Sequence, residues 1–135
     1  MNDPVFRVLP SLEEPSAFFW TSGADGKLRF FRCAACSYLI HPPAPFCPKC
    51  SGRDAAPAEV SGRATVHSFT VNHQAWDGVG DVYVIGLVEI DEQPDVRLTT
   101  NIVGIAPGDV RVGMPVEFVF EDHAPVFLPL FQPVA

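Results

Sequence analysis

Two C-x-x-C pairs, five short β-type runs after them and one aromatic-rich segment before them predict a mainly β chain. The fold they specify is a rubredoxin-like zinc ribbon followed by a five-stranded OB-fold barrel, with a short N-terminal helix. The expected divisions are an arm and helix over 1–26, the ribbon over 27–57 and the OB-fold domain over 58–135. A β-sandwich would need about seven strands and more chain. At 135 residues there is room for one ordinary domain or two very small ones.

Residues 1–10 read as an extended arm with Pro4 and Pro10 near its ends. Ser11-Leu12-Glu13-Glu14 matches a capping box, and Pro15 falls in the first turn of a helix expected over about 12–22, with Gly23 as its stop. That helix carries Phe18, Phe19 and Trp20, three adjacent rings that cannot all face one way. At least one is expected to point from the local core toward the barrel or a partner.

The run 27–32 is a strand into the first cysteine pair, and Tyr38-Leu39-Ile40-His41 leads out of it. All four cysteines, Cys33, Cys36, Cys47 and Cys50, lie within eighteen positions, with ten residues between the pairs. Each pair presents two sulfurs from one tight loop, and two facing loops make a tetrahedral thiolate cage. Two disulfides would need an oxidising compartment, and the chain opens Met-Asn-Asp-Pro with no basic segment before an apolar run. A thioredoxin-like redox pair accounts for one C-x-x-C and wants a βαβ context. Iron in a rubredoxin-like cage uses the same four ligands as zinc. One structural zinc is the reading taken, with His41 a bystander because structural sites close at four ligands. A loop over 52–57 ends the metal module.

From residue 63 the pattern changes to strands. The run 63–73 alternates, with Thr65, His67, Phe69 and Val71 on one face and Val66, Ser68 and Thr70 on the other. A Gly- and Asp-rich loop over 74–81 contains Trp76. The second run, 82–90, is β-branched with Gly86 at a bulge or bend, and 91–95 is a turn. Runs 96–103, 115–121 and 126–131 complete the five, with turns rather than a full helix over 107–113. Val116, Phe118 and Phe120 share a face. The tail from Phe127 to Pro133 is apolar at a chain end, where such side chains are either an exposed interface or the last part of the barrel core.

The net charge of −7 is uneven. Residues 27–63 carry Lys27, Arg29, Arg32, Lys49, Arg53 and Arg63 against Asp54 and Glu59, while the rest holds three basic and fourteen acidic groups. Zinc with four thiolates would trim the local surplus by two. A nucleic-acid binder needs a broad basic face to displace counterions. This chain has one small basic patch beside an acidic body, suited to phosphates of a nucleotide-containing cofactor or to an acidic protein surface. No apolar run reaches the eighteen or more residues of a membrane span, so a soluble, cytoplasmic protein is expected.

Catalytic patterns do not emerge. Asp91, Glu92 and Asp95 cluster in a turn, where solvated polar residues are the norm. Glu121-Asp122-His123 is a general-base group only superficially, since strand neighbours face opposite ways. His67 and His73 read as barrel histidines with hydrogen-bond partners. No G-x-S-x-G elbow, phosphate-cradling loop or H-E-x-x-H occurs, and a closed cage has no open position for substrate. The catalytic residue set is therefore empty.

The order of motifs resembles domain-of-unknown-function family thirty-five, zinc-ribbon/OB-fold proteins associated with acyl-CoA metabolism. The residues that carry it are Arg32-Cys33-x-x-Cys36, His41-Pro42-Pro43, Phe46-Cys47-Pro48-Lys49-Cys50, the run from Ser61 to Thr70, Leu87-Val88-Glu89-Ile90, Asn101-Ile102-Val103-Gly104 and Val112-Gly113-Met114-Pro115-Val116. The likeness covers about Pro15 to Pro133. It implies hetero-oligomeric partnership with a thiolase-like or lipid-transfer-protein-like enzyme, including steroid side-chain aldolases. That enzyme carries the chemistry. The small subunit stabilises it and helps shape the path of the CoA ester, which binds at the partner interface. The four cysteines match the family's metal ligands. A single-stranded nucleic-acid-binding OB fold is the alternative, and a small enzyme or redox protein a third reading.

Overall fold

The computed structural model describes residues 8–73 and 82–134. The start of the predicted arm and the run 74–81 with Trp76 lie outside them. Among the described residues, strands β1 (Arg29–Cys33), β2 (Leu39–Ile40) and β3 (Ala55–Glu59) form an antiparallel sheet in the order β2-β1-β3. Strands β4 (Arg63–Asn72), β5 (Tyr83–Ile90), β6 (Arg97–Ile102), β7 (Pro115–His123) and β8 (Val126–Pro133) close a barrel in the order β4-β5-β6-β8-β7. The fold class is the predicted one. Among the described residues no helix is long and apolar enough to cross a membrane.

β5 alternates as the sequence implies, with Val84, Gly86, Val88 and Ile90 inward. The expected bulge at Gly86 is absent: its pairing with Phe69 and Thr100 is continuous. Glycine is required there because a Cβ would come within 2.7 Å of the Ile102 side chain. The bulge lies in β4 instead, where the register shifts between Val66 and Ser68. One extra residue at a bulge reverses the faces beyond it. Hence Ala64 and Val66 are buried before it, while Phe69 and Val71 pack on the core after it, and the uninterrupted alternation predicted for β4 fails.

The helix begins later than predicted. Ser11 and Glu13 carbonyls accept the Glu13 and Ser16 amides at 3.1 and 3.0 Å, so the chain turns there and no capping box forms. Helix α1 (Ala17–Thr21) follows and continues as a 3-10 turn over Ser22–Asp25. The stop is Gly26 at φ 78°, not Gly23. Gly23 lies inside the turn, where a Cβ would sit 2.4 Å from that of Phe127. Phe19 is buried against Trp20, Phe30 and His41, and Phe18 stacks on Phe31 at 5.7 Å.

The loop expected over 52–57 is shorter, because Ala55–Glu59 pairs along the whole of β1 as an edge strand. Pro57 is tolerated there because its missing N–H costs an edge strand no ladder bond. The tail is not an exposed patch: Val126, Leu130 and Phe131 are buried, so β8 finishes the barrel core. One apolar cluster runs through Phe19, Leu28, Phe30 and Leu39 into Val66, Val88, Val116 and Phe131, joining helix, ribbon and barrel.

A candidate metal centre

The four cysteines arrive on two loops of the same local design. In the first, the Cys33 N–H donates to the Tyr38 carbonyl and the Ser37 N–H to the Cys33 carbonyl, both at 2.9 Å. In the second, the Cys47 N–H donates to the Gly52 carbonyl at 2.8 Å and the Ser51 N–H to the Cys47 carbonyl at 2.9 Å. Ser37 and Ser51 occupy the same place in each loop, at φ 66° and 64°. The Ala34 N–H reaches the Asp54 carbonyl at 2.8 Å and ties the loops together.

The result is four sulfurs within 4.8 Å of one another, with Cys33–Cys50 at 3.5 Å and Cys36–Cys47 at 3.7 Å. Sulfurs about 2.3 Å from a tetrahedral zinc stand about 3.8 Å apart, so this donor set fits such an ion. Bonded sulfurs would be about 2 Å apart, and all four cysteines are free. Amides point at the sulfurs: Lys49 N–H to Cys47 and Gly52 N–H to Cys50, each at 3.4 Å.

The electrostatics favour shared negative charge. The Cys36 amide, with that of Ala35, holds the Cys33 thiol down at about 7, against burial. Burial raises the Cys47 thiol, but the amides of Cys50 and Lys49 outweigh it and the net shift is downward. At Cys50 the Gly52 amide favours the thiolate, yet neighbouring Cys33 and Cys36 push the group up to about 12. Four thiolates in so small a volume repel, and a divalent cation relieves that repulsion.

His41 lies outside the sulfur cluster. Its ring packs on Phe19 and Phe30 with centroids 5.0 Å away in each case, and burial pushes its pKa down to about 4. His67 Nδ1 pairs with Glu89 at 2.8 Å. His123 Nε2 pairs with Glu121 at 2.7 Å, two residues away on the same face, while Asp122 accepts the Ala124 amide. Among the described residues the cysteines are the one group of three or more metal-type side chains brought together.

Sequence reasoning missed what holds this centre to the barrel. The Gln93 side-chain amide makes both bonds to the Leu39 backbone, accepting at 2.9 Å and donating at 2.8 Å. Tyr38 Oη donates to Asp95 at 2.7 Å, and Glu92 accepts from Ser61. The turn expected to carry solvated polar residues is therefore a clamp between ribbon and barrel.

Comparison with known proteins reinforces the two halves. The family description "ChsH2, rubredoxin-like zinc ribbon domain" matches residues 20–55, and "ChsH2, C-terminal OB-fold domain" matches residues 58–121. A probable enoyl-CoA hydratase alpha subunit of Thermomonospora curvata is 38 % identical over 129 residues, 94 % of this chain and 40 % of that protein. The 3-oxo-4,17-pregnadiene-20-carboxyl-CoA hydratase alpha subunit of Mycobacterium tuberculosis is 35 % identical over 97 % of this chain and 42 % of its own length. The chain thus spans about two-fifths of these two curated relatives. A DUF35 domain-containing scaffold protein of Methanothermobacter thermautotrophicus is 30 % identical over 66 % of this chain and 68 % of its own. Among solved structures, an Ltp2-ChsH2(DUF35) aldolase chain superposes with a TM-score of 0.83 at 36 % identity, covering 94 % of this chain and 100 % of that one.

Proposed function

The chain belongs to the DUF35 family of zinc-ribbon/OB-fold proteins, and from that premise we propose that it is a non-catalytic, zinc-containing subunit of an acyl-CoA-processing complex. The observation that carries the reading is full coverage of one chain of an Ltp2-ChsH2(DUF35) aldolase at a TM-score of 0.83. The partner is a thiolase-like enzyme, the reaction a retro-aldol cleavage of a steroid-type side chain, and the role of this chain is to stabilise the enzyme and help shape its acyl-CoA path. Two relatives named as acyl-CoA hydratase alpha subunits support the same substrate class.

Cys33, Cys36, Cys47 and Cys50 would hold one zinc, which supplies fold and no chemistry when its four positions are filled. This chain's own residues bind and orient: the two loops fix the ribbon, Gln93 and Asp95 fix the ribbon on the barrel, and Glu92 holds Ser61 in the link between β3 and β4. The test is copurification from the native host with metal analysis. One zinc per chain, a thiolase-like partner, and retro-aldol cleavage of an acyl-CoA only by the two together are expected. Iron in place of zinc corrects the metal alone. Cleavage by the isolated chain, or salt-sensitive oligonucleotide binding without any enzyme partner, overturns the reading.

A further inference from the structure

Of the large apolar side chains exposed among the described residues, Phe46 is the one aromatic ring, 53 % accessible and next to the buried Cys47. It borders a groove of about 380 Å³ whose ribbon side is Tyr38, Ile40 and Pro48 and whose barrel side is Asp95 and Val96. Tyr38 carries the Lys49 ammonium 5.6 Å above its ring.

Three cations of the ribbon are unspent. Lys27 is taken by Glu59, Arg29 by Asp25 and Arg63 by Glu117. Among the described residues no carboxylate pairs with Arg32, Lys49 or Arg53, all exposed and all on the ribbon. An exposed aromatic ring bordering a groove, with a cation at the side, is the kind of anchor on which interfaces are centred. Phe46 is also held in place from behind, because its neighbour Cys47 is fixed by the Gly52 carbonyl and the sulfur cluster. An anchor ordered beforehand loses little entropy on binding.

We propose that Phe46 and its groove, with Lys49 over the Tyr38 ring that lines it, form the face that docks on the enzyme subunit, that the ribbon's other unpaired cations steer the approach, and that the enzyme's matching patch is an apolar pocket edged by carboxylates. The proposal rests on the accessory-subunit reading above and adds where the two chains meet. A second copy of this chain is the poorer occupant: a two-fold contact centred on Phe46 and its groove would bring the Lys49 charges of the two copies together.

The test uses the full chain and the thiolase-like protein that copurifies with it, with affinity measured against salt concentration. Phe46→Ala is expected to weaken binding at least tenfold. Lys49→Glu with Arg53→Glu is expected to slow association and flatten its salt dependence. Val112→Ala, an exposed side chain on the barrel, serves as the control within twofold of the unmodified chain. Zinc content is checked for each variant; if Phe46→Ala loses metal, Phe46→Leu and a benzophenone amino acid at position 46 take its place. Cross-links from that position to acidic peptides of the enzyme support the proposal. Cross-links to a second copy, or a complex unmoved by the Phe46 and cation variants, overturn it and leave the accessory-subunit reading standing. If the unmodified chain forms no enzyme complex, the accessory-subunit reading itself fails, and this proposal with it.

Discussion

The ribbon and the barrel are both small sheets, yet they are held by different physics. The barrel hides Val88, Val116 and Phe131 completely, and burying each such side chain contributes about 1.5–3 kcal/mol. The ribbon's separate core holds Cys33, Ile40 and Cys47, so one aliphatic side chain and two thiols stand where the barrel has a full set. Too little apolar surface is buried there to order the loops. A metal ion supplies on the order of 10–16 kcal/mol in comparable small sites. The comparison teaches that one chain can be stable throughout while its two sheets fail under different insults.

The sharpest way to break that contrast is at the cage. Cys47→Ser should cost most of the metal's contribution, disorder both cysteine loops and weaken partner assembly, while amides of β4 and β5 stay protected from hydrogen exchange. Uniform loss of protection would show instead that the sheets share one fate. Next in size, Phe131→Ala should destabilise the barrel by about 3–5 kcal/mol in denaturant titrations, with zinc still bound. Metal loss at the same denaturant concentration would merge what we separate.

A pH series sharpens the boundary between the regions. The His41 pKa lies at about 4 against an ordinary 6.5, so the unfolded chain takes up a proton that the folded chain refuses. Stability is whole above pH 6.5 and falls as the pH drops toward 4, by at most about 3 kcal/mol. His41→Phe should remove this part of the acid loss. Parallel pH profiles for the two proteins would refute it. The smallest effect is expected from Gln93→Ala, about 1–3 kcal/mol from leaving the Leu39 amide and carbonyl unpaired. Its signature is looser coupling, with chelation of zinc changing the barrel's amide signals less than in the unmodified chain.

Much of this was legible in the sequence where the signal is local. The cysteine spacing places four sulfurs together, and the alternation of β5 is read residue by residue. What escaped was set at long range. Ala55-Ala56-Pro57-Ala58-Glu59 has no β-branched residue and becomes a strand only because β1 offers its edge. The bulge at residue 67 leaves no mark in composition, yet it reverses the faces of half of β4. Ser11 and Glu14 satisfy the spacing of a capping box, but the backbone turns before a helix can use it. Gln93 and Asp95 look like ordinary turn residues because their partners, Leu39 and Tyr38, lie more than fifty positions away.

That glutamine also limits how the chain meets others. β2 lies at the outside of its sheet, and an outer strand with free N–H and C=O groups is a template for a stranger's backbone. At Leu39 both groups are already answered by a side-chain amide, which imitates a neighbouring peptide unit without extending the sheet. The ribbon therefore ends there, closed to strand addition by a single residue borrowed from the barrel.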